Sequence, residues 1–572
     1  MADFVAETLL IHWHRNGVNS VAFSHGRLVT CGNDHQTRLW KVTNSPTAKT
    51  QHFNVEQVGV LSGAGLGSAS TKGHSKSVNT VRLSPDGTML ATCSDDQTIR
   101  IWQRMSAAEE AEVVARRAKE EAEAEEDEEM LDDAGEEQVA EYWKQIKAFA
   151  YTPPGLKVHE KTGGMMTAEV MDLSWGPDSC HLVVSTVRNA CMLIRFNECD
   201  NKKRSGGFDA MIQKSYQFPG LCQGAAWDPI GRFIVTQGAS SQLKVWAVRV
   251  SGKTKRETTV RDGETWRTNR RLADMDIGCI VAKVQPDQIL PATDIDCIRP
   301  IWTEVDQPMA LFKHAILFKD QVGKDLGHLV FFRRPAWTPD GAFFIAVSAQ
   351  FPVPVPDSAG EVGVVFRDCA AVFTRDSLEA HVRAKKSRAK TPITPPPVTP
   401  VALLPSSEPV IAAAAHPRLF KGPNGLFSVV AVASLGDVTV YRSDSWTPIA
   451  TLANTHQTPI TDLAWDDADA PMLAVSSTDG FVTLAQFKAG SFGEFAAEEE
   501  IPAHMRPGYD FELELVKEEK EEARPEGAVS PGPASPVPPS AAVSPAVTPA
   551  AAPTPAPARS KRARVAVEHI PE

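Results

Sequence analysis

The stretch SVNTVRLSPDGTMLATCSDDQTIRIW, residues 77–102, repeats a pattern already present in VNSVAFSHGRLVTCGNDHQTRLW at residues 18–40. Each copy begins with a strand-like alternation of apolar and polar residues, turns at a polar Gly-containing step, and continues into a second apolar strand. A polar turn that contains Asp follows, and a third strand ends in Trp. The fold therefore depends on whether the rest of the chain continues this pattern.

Looser copies of the same pattern follow along the chain. They lie at residues 170–196, 222–246, 335–351 (completed by 370–375), 410–442 and 460–487. About seven such units, recurring every 40 to 45 residues or so once insertions are removed, are typical of a WD40 β-propeller. The predicted fold class is all-β: a seven-bladed WD40 β-propeller with long loop insertions and a disordered C-terminal tail.

The second copy carries a set of polar residues at fixed places. His74 precedes its first strand, Asp96 lies in the turn before the third strand, and Trp102 ends that strand. In WD40 repeats such residues and a strand hydroxyl, here Thr92 or Ser94, form a hydrogen-bonded chain across one blade. The chain satisfies polar groups that the stacked sheets would otherwise bury unpaired.

The same places recur in other copies. The first copy has His14, Asp34 and Trp40, and the last copy has His456 and Asp479, with Ala485 in place of Trp. In the fourth copy Phe218 and Ser240 replace His and Asp. A catalytic group occurs once in a chain, so histidines that recur at one place in a repeat are predicted to be structural.

The ring of blades needs a way to close, because an open edge strand invites aggregation. The segment TLLIHW at residues 8–13 is strand-like and lies ahead of the first full unit. We predict that it pairs into the last blade as the outer strand. The propeller would then span residues 1–490.

Three insertions interrupt the predicted propeller, at about 105–145, 250–312 and 378–406. The first is rich in Glu and Ala. It is either a solvated loop helix or an acidic patch that attracts a basic partner such as histones. The second begins with a basic stretch, and its second half has no physical explanation in the sequence. The third is basic and then proline-rich, which predicts an exposed loop.

Residues 491–572 become acidic and then rich in Pro, Ala and Ser, which predicts a disordered tail. The tail ends in a basic cluster that includes Arg562 and Arg564, followed by the alternating Val565 and Val567. The cluster is typical of a nuclear import signal. The alternation is typical of a strand that can add to the sheet edge of another protein. Both interpretations stay open.

Composition narrows the function classes. The formal net charge of −12 argues against a nucleic-acid binder, and nine cysteines without a CxxC pair favour a reducing compartment. The start of the chain has no basic secretory region, and no apolar run approaches the ~18 residues that span a bilayer, so we expect a soluble intracellular protein.

Phosphate-loop, HExxH and GxSxG motifs are absent from the sequence. We therefore predict no enzyme, with no catalytic, cofactor-binding or metal-binding residues.

The run Phe331-Phe332-Arg333-Arg334 precedes the first strand of the fifth copy. Two aromatic residues beside two arginines fit either blade packing or a surface that faces a partner. We predict that the Phe pair packs into the blade. We predict that Arg333 and Arg334 lie on the surface as partner-binding residues.

The segments IHWH, RLVTCGNDHQTRLWKV, GAAWDPIGRFIVTQGASSQLKVW and, most specifically, HLVFFRRPAWTPDGAFF and ITDLAWD resemble the WD40 (middle) subunit of chromatin assembly factor 1, of the fungal type. The resemblance covers nearly all of residues 8–490 outside the insertions. It departs in the third copy, which lacks the Asp and Trp of a clean WD unit.

The resemblance implies a non-enzymatic nuclear scaffold in a histone chaperone complex that deposits H3–H4 onto newly replicated or repaired DNA. It implies contacts with the large and small subunits of that complex and with the anti-silencing chaperone that delivers H3–H4. Histones would be bound directly or indirectly, without sequence-specific nucleic-acid binding and without a membrane. Arg562, Arg564, Val565 and Val567 are the nearest match to the family's C-terminal chaperone-binding peptide.

Two other functions fit the same fold. One is the WD40 subunit of the replication-independent histone-regulator complex, although that family usually carries a further folded domain after the propeller. The other is a substrate receptor of a ubiquitin ligase. In the chromatin interpretation, the acidic segments near 120–137 and 496–500 would screen basic histones from premature contact with DNA.

Overall fold

The structure of the chain is a computed structural model. The chain divides into two compact units, Met1–Lys520 and Glu521–Glu572. The second unit lies outside the part of the chain that the structure describes. The described residues are 7–12, 14–44, 53–61, 73–106, 108–112, 115, 143–150, 169–187, 190–198, 208–217, 221–239, 243–250, 258–261, 264–267, 272–281, 283–284, 309–310, 331–356, 362–386, 395–396, 398–506 and 509.

Seven four-stranded antiparallel sheets form the blades, as the repeat pattern predicts. From the inner to the outer strand, the first three blades are Val18–Ser24, Arg27–Gly32, Thr37–Asn44 and Phe53–Val60 (blade 1); Val78–Leu83, Met89–Ser94, Thr98–Arg104 and Trp143–Ala150 (blade 2); and Val170–Trp175, His181–Thr186, Ala190–Glu198 and Phe208–Gln217 (blade 3).

The remaining blades follow the same order. They are Cys222–Trp227, Phe233–Gly238, Leu243–Val250 and Leu272–Val281 (blade 4); Ala336–Trp337, Phe343–Pro356, Val362–Thr374 and Ala402–Pro405 (blade 5); Ala412–Ala415, Val429–Ala433, Val438–Arg442 and Pro448–Leu452 (blade 6); and Ile460–Trp465, Met472–Ser477, Phe481–Gln486 and Glu7–His12 (blade 7).

Residues 108–112 and 115 are helical, and the remaining described elements are short hairpins and two further helical segments. They are Thr258–Arg261 with Glu264–Arg267, Lys283–Val284 with Met309–Ala310, Phe420–Gly422 with Gly425–Phe427, the α-helix Arg375–Lys386 and the 3₁₀ helix Ala503–Met505. No helix in the described ranges is long and apolar enough to cross a membrane.

The core lies between the blades. In the described part of the chain, seven apolar clusters each join one blade to the next around the ring. The second strand of a blade is covered on both faces, so strands such as Met89–Ser94 and Phe233–Gly238 are buried along their whole length. The polar residues of these strands, such as Thr92 and Thr236, are therefore buried as well and need hydrogen-bond partners inside the blade.

The prediction for ring closure is confirmed. Strand Glu7–His12 pairs antiparallel with Phe481–Gln486, from Glu7 opposite Gln486 to His12 opposite Phe481. The outer strand of blade 7 therefore comes from the other end of the ring sequence, and its backbone pairing closes the ring. Without this strand, the outer edge of Phe481–Gln486 in blade 7 would have no backbone partner.

The outer strands of three blades lie wholly or partly inside the segments predicted to be insertions. They are Trp143–Ala150, Leu272–Val281 and Ala402–Pro405. The segment 378–406 was predicted as an exposed loop and contains most of helix Arg375–Lys386 as well. Outer strands have one neighbour only, so their sequences carry a weaker apolar signal, and a long intervening segment hides their place in the repeat.

The second and third strands of blade 5 are the longest of the described strands, at 14 and 13 residues. They pair with each other as far as Pro356 opposite Val362, whereas the outer strand covers only Cys369–Val372. Residues 350–356 and 362–368 therefore form a two-stranded extension, which we call the blade-5 ribbon. It stands where blades 1, 2 and 7 have a short Asp-containing turn.

The chain after blade 7 continues along the ring, so the tail does not begin at residue 491 as predicted. The Lys421 N–H donates to the Glu494 carbonyl at 2.8 Å beside blade 6, and Phe492 is buried in the cluster between blades 6 and 7. His504 Nε2 lies 3.1 Å from the Pro339 carbonyl of blade 5. Tyr509 packs against the cluster between blades 3 and 4. Residues 488–506, together with Tyr509, therefore form a strap that crosses several blades.

Candidate functional site

Blade 2 contains a continuous hydrogen-bonded chain. Trp102 Nε1 donates to Thr92 Oγ1 at 3.1 Å, the Thr92 hydroxyl lies 2.8 Å from His74 Nε2, and His74 Nδ1 lies 3.0 Å from Asp96 Oδ2. Thr92 fills the strand position that the sequence left open between two residues. Ser94 instead accepts the Asp96 N–H in the turn. We call such a chain of four residues a strut.

Blade 1 has the same strut. Trp40 Nε1 donates to Thr30 Oγ1 at 3.0 Å, Thr30 Oγ1 lies 2.8 Å from His14 Nε2, and His14 Nδ1 lies 2.8 Å from Asp34 Oδ1. His14 and Thr30 are buried. The two struts share one geometry because the residues stand at the same places in the repeat.

Blade 7 has half a strut. His456 Nδ1 lies 3.1 Å from Asp479 Oδ2. Val475 occupies the fourth position of the second strand, where Thr30 and Thr92 stand in their blades, and Ala485 replaces the Trp. Within the described residues His456 Nε2 has no hydrogen-bond partner.

Burial sets the protonation of the strut in blade 2. Burial lowers the pKa of His74 more than the neighbouring Asp96 raises it. Burial also raises the pKa of Asp96, but the hydrogen bonds from His74 and Thr98 outweigh it and hold that pKa below its usual range. A neutral His74 donates from Nδ1 to a charged Asp96 and accepts at Nε2 from Thr92. A group held in one protonation state by its neighbours serves as a strut rather than as a proton carrier.

A second buried polar group lies on the axis of the ring and is centred on Arg334. Its guanidinium donates to the carbonyl oxygens of Asn19, Thr461 and Asn79 at 2.9, 2.6 and 2.9 Å, and to Thr80 Oγ1 at 2.9 Å. These partners belong to blades 1, 2 and 7. Arg334 enters from blade 5, so its side chain crosses the centre of the ring.

Four charged side chains meet at this point. Arg334 Nη1 lies 3.2 Å from Asp462 Oδ2, and its Nε lies 3.6 Å from Asp172 Oδ1. Arg82 Nη1 lies 2.7 Å from Asp462, and its Nη2 lies 3.5 Å from Asp172. The two guanidinium groups balance the two carboxylates. We call Arg82, Asp172, Arg334 and Asp462 the hub.

The hub reaches every blade. The Ala225 N–H of blade 4 donates to Asp172 of blade 3 at 3.1 Å. The Arg334 backbone exchanges hydrogen bonds with blade 6, accepting from Ala413 N at 3.0 Å and donating to the Ile411 carbonyl at 2.9 Å. Blades 1, 2, 5 and 7 supply the remaining partners. The hub therefore ties the seven inner strands to each other.

The electrostatics of the hub favour its charged form. Burial raises the pKa of Asp462, but Arg334 and then Arg82 outweigh it and hold the pKa below the usual range. Burial lowers the pKa of Arg82, and the carboxylates of Asp462 and Asp172 more than reverse this. A buried ion pair is retained when its partners are close and its remaining hydrogen-bond groups are satisfied.

The prediction that Arg333 and Arg334 lie on the surface is wrong. Their exposed fractions are 1% and 2%, whereas Phe331, predicted to pack, is 47% exposed; Phe332 is buried as predicted. Arg333 Nη1 donates to the Gly238 carbonyl of blade 4 at 2.7 Å, and burial lowers the pKa of Arg333 to about 10. Both arginines point into the ring, because residues 333–334 run along blades 4 and 6 before the inner strand of blade 5 begins.

The close approach of this segment explains a glycine in blade 4. A Cβ at Gly224 would lie 1.7 Å from the Arg333 carbonyl oxygen, closer than any atoms can pack. Gly224 therefore allows the backbone of residue 333 to contact an inner strand directly.

The sequence does carry a signal for the hub. The inner strands VMDLSW at 170–175 and ITDLAW at 460–465 each place an Asp at the third position of a buried apolar strand. A buried carboxylate needs a cationic or hydrogen-bonding partner. Two such carboxylates at equivalent places, together with Arg82 in VNTVRL, indicate a buried cation between them.

The other predicted partner-binding residues, Arg562, Arg564, Val565 and Val567, lie outside the described residues, as does the acidic stretch 120–137. The segment 496–500 belongs to the strap and is exposed at Glu498, Glu499 and Glu500. Lys421 Nζ lies 2.9 Å from Glu500 Oε2.

The described residues offer little reactive chemistry. Burial raises the pKa of the Cys31, Cys93, Cys222 and Cys369 thiols, and that of Cys191 to about 12, which disfavours the nucleophilic thiolate. No group of His, Cys, Asp or Glu in the described ranges has the arrangement of a metal site. A cleft of about 190 Å³ between blades 1 and 7 is smaller than the ~300 Å³ typical of sites for small organic ligands.

Comparison with known proteins agrees with this architecture. The WD domain, G-beta repeat family matches residues 7–41 and 68–103. The B subunit of chromatin assembly factor 1 from Saccharomyces cerevisiae is 26% identical over 88% of this chain and 90% of that protein. The chromatin assembly factor 1 subunit FAS2 homolog of Oryza sativa is 27% identical over 85% of this chain and 73% of that protein.

The chain is a WD40 β-propeller that resembles the B subunit of chromatin assembly factor 1. Protein HIR1 of Yarrowia lipolytica is also similar, at 24% identity over 88% of this chain, but the match covers 40% of that protein. The resemblance to the chromatin assembly factor extends over nearly the whole length of the yeast B subunit, whereas the chain spans less than half of HIR1.

Proposed function

We propose that this chain is a WD40 subunit of a nuclear chromatin assembly complex, in which it acts as a scaffold without catalytic chemistry. The observation that carries the proposal is the resemblance to the yeast B subunit of chromatin assembly factor 1 over 88% of the chain. The structure supports it in a second way. The struts and the hub bind buried polar residues to one another inside the ring. Partner proteins would then bind to the outer surfaces of the propeller.

The finer proposal concerns cargo and partners. The complex deposits histones H3–H4 onto newly replicated or repaired DNA, and this chain links the large subunit, with the small subunit present, to the anti-silencing chaperone that delivers H3–H4. Support comes from Arg562, Arg564, Val565 and Val567, which are the nearest match in this sequence to the chaperone-binding peptide that the family resemblance implies. Exposed acidic residues at 498–500 provide a surface that a basic histone segment fits by charge.

Affinity purification of the tagged full chain from nuclear extract tests the complex. We expect the large and small subunits of a chromatin assembly complex, together with H3–H4. Recovery of histone-regulator subunits instead would favour the HIR1-type alternative, and recovery of ubiquitin-ligase adaptors would favour a substrate receptor. Either result without chromatin assembly subunits contradicts the proposal.

A narrower experiment tests the chaperone contact. Calorimetry of a synthetic peptide of residues 556–572 against the anti-silencing chaperone at moderate salt should show binding. The matched control carries Arg562→Glu and Arg564→Glu and should lose it, because charge complementarity contributes to such contacts. Full chain lacking 556–572 should still recover the large subunit, which separates this contact from membership of the complex.

A further inference from the structure

The inner strands of blades 4 and 7 are each followed by an aspartate, Asp228 in blade 4 and Asp466 in blade 7. The Asp228 N–H donates to the Phe233 carbonyl of the second strand at 2.9 Å, and the Asp466 N–H donates in the same way to the Met472 carbonyl at 2.9 Å. Their exposed fractions are 0% and 3%. The two aspartates therefore occupy equivalent places in the repeat, and a carboxylate buried at such a place needs a compensating partner.

In blade 4 this partner is a cation from the next blade. Arg375 of blade 5 donates from Nη2 to Asp228 Oδ1, and from Nε to the Gly341 carbonyl at 2.6 Å. The centre of its guanidinium lies 5.5 Å from the centroid of the Phe233 ring and 5.2 Å from that of the Trp337 ring. The junction between blades 4 and 5 therefore holds one guanidinium between a carboxylate and two aromatic rings.

In the described part of the chain, the equivalent junction between blades 7 and 1 has no such cation. The Arg375 N–H donates to the Ala342 carbonyl of its own blade at 2.9 Å. In blade 1 the Val42 N–H makes the same bond to the Gly26 carbonyl, at 2.7 Å. Val42 therefore stands where blade 5 has Arg375, and its side chain is short and uncharged. Among the described residues, Asp466 accepts from backbone N–H groups but pairs with no Lys or Arg.

The cleft of about 190 Å³ between blades 1 and 7 lies at this junction. Val42, Ala468 and Met472 give it apolar walls, and Asp466 and Asp467 line it with carboxyl groups. An arginine side chain needs both kinds of surface, because its stem is apolar and its guanidinium binds carboxylates. The cleft is too small for most organic ligands, but it lies where the other junction holds a single arginine side chain.

The two carboxyl groups of the cleft are held in place by blade 1. The Gly26 N–H donates to Asp466 Oδ1 at 3.0 Å, and the His25 N–H donates to Asp467 Oδ1 at 2.9 Å. The exposed His25 ring also contacts Asp467 Oδ2 through Nδ1. Burial raises the pKa of Asp466, and the charge of Asp467 adds to this effect. A guanidinium beside Asp466 would compensate both.

We propose that the cleft binds an arginine side chain of a partner protein, whose guanidinium takes at Asp466 the place that Arg375 takes at Asp228. The observation that carries the proposal is the pair of equivalent junctions. One junction contains its own cation, and the other has the carboxylate and a cleft with Val42 at the place of the arginine. The site therefore selects a guanidinium on another chain.

The surface around the cleft indicates that the partner segment is basic. The Asp469 side chain is 89% exposed, and its carboxylate lies 2.9 Å from Arg418 Nη1. Arg418 in turn lies over the Phe495 ring of the strap, 3.5 Å from its centroid. The exposed acidic residues at 498–500 continue along the strap. An acidic surface beside the cleft would attract a basic segment and orient it for insertion of one arginine.

Val42→Arg tests the geometry within one chain. The substitution places a guanidinium where blade 5 has Arg375, so it should raise the melting temperature by pairing Asp466. The double variant with Asp466→Asn should lose this gain. Val42→Met, which is long but uncharged, is the matched control and should show no gain. A Val42→Arg chain that is less stable than Val42→Met would contradict the equivalence of the two junctions.

Fluorescence anisotropy tests binding of the partner side chain to the full chain. The probe is a labelled peptide of Gly and Ser with two Arg residues, and the control peptide carries citrulline, the uncharged analogue, at both places. We expect the arginine peptide to bind about tenfold or more tightly than the citrulline peptide. Asp466→Asn should weaken its binding by a similar factor. Asp469→Asn removes the same charge outside the cleft and should change the affinity by less than about twofold.

Several results would overturn the proposal. They are equal affinities of the two peptides, equal effects of Asp466→Asn and Asp469→Asn, and a parent chain that binds neither peptide at millimolar concentration. Binding that appears only after Lys49→Gln, or only after removal of residues 556–572, would mean that a cation of the chain itself occupies the cleft. Recovery of chromatin assembly subunits tests the proposed function separately, so the two proposals can fail independently.

Discussion

The hub and the struts solve the same problem at different scales. Both satisfy polar side chains buried among stacked sheets, yet the hub joins inner strands of all seven blades and each strut joins strands of one blade. The hub uses full charges whose partners come from distant parts of the sequence. Each strut places one histidine between a hydroxyl and a carboxylate, and in blade 2 burial lowers the pKa of this histidine, His74. The difference indicates that the hub holds the ring together and the struts hold the shape of single blades.

Loss of the hub cation should have the largest effect. Arg334→Met removes hydrogen bonds to three blades and leaves Asp172 and Asp462 with Arg82 as their only described cation. We expect the free energy of unfolding to fall by about 3 to 5 kcal/mol, because a buried charge has lost its partner. Urea unfolding measures this. Arg383→Met, on an exposed helix position, is the control, and an equal effect of both substitutions would contradict the special role of the hub.

Acid should act on neutral histidines before it acts on the hub. Burial lowers the pKa of His416, which packs between Phe420 and Trp465 in the blade 6–7 cluster, to about 4. The unfolded chain takes up this proton from about pH 6.5 downward and the folded chain does not, so stability falls as pH falls from 6.5 to 4. The hub carboxylate Asp462 has a lowered pKa, and its contribution is lost only below about pH 4.

The variant His416→Asn tests this order. It keeps an acceptor for the Arg418 N–H, which donates to His416 Nδ1 at 3.1 Å, and it cannot be protonated. Between pH 6.5 and 4 its loss of stability should be smaller than that of the parent by about 3 kcal/mol, since one pKa unit corresponds to about 1.4 kcal/mol. Unfolding curves across this range provide the measurement. A parent chain whose stability is flat from pH 6.5 to 4 would refute the assignment of a neutral His416.

Breaking one strut should cost less than breaking the hub. Thr92→Val leaves Trp102 Nε1 and His74 Nε2 without their shared partner. The expected loss is about 1 to 2 kcal/mol, the usual cost of buried groups left unsatisfied. Thr88→Val at an exposed position of the same blade should change the stability by less than about 0.5 kcal/mol. A loss as large as that of Arg334→Met would erase the distinction between hub and strut.

The smallest effect should come from extending the half strut of blade 7. Val475→Thr places a hydroxyl where Thr30 and Thr92 stand, within reach of His456 Nε2 by analogy with those blades. The expected gain is at most about 1 kcal/mol, because the hydroxyl must also be removed from water. Thermal unfolding of this variant and of Thr92→Val compares the gain in stability from adding the strut hydroxyl with the loss from removing it. A destabilisation of more than about 1 kcal/mol would mean that blade 7 has no room for the strut.

The repeat and the residues of the struts could be predicted from the sequence because each depends on local order. The closing strand could be predicted because a ring of blades needs a partner for its open edge. A strand can be recognised from the alternation of apolar and polar residues within it. His14 and His74 can be recognised because each lies at a fixed number of residues before the strand that follows. The outer strands of blades 2, 4 and 5 could not be placed, since long insertions separate them from their partners. The blade-5 ribbon was missed for a related reason: hairpin length is set by tertiary pairing and not by periodicity.

The arginines show most clearly where local sequence patterns stop being informative. A pair of arginines beside an apolar run indicates a surface on average, because charged residues are rarely fully buried. The outcome for Arg334 was decided by residues more than a hundred positions away, at Asp172 and Asp462. Whether a cation is buried depends on such distant partners, and the residues next to it in the sequence do not reveal them.

The closing strand has a consequence for how the molecule is made. Residues 7–12 pair with residues 481–486, so this strand, which precedes blade 1 in the sequence, has no backbone partner until blade 7 has been synthesised. Pairing across such a distance in sequence is slow, and an unpaired edge is exposed meanwhile. The ring can therefore close only after all seven blades have been synthesised.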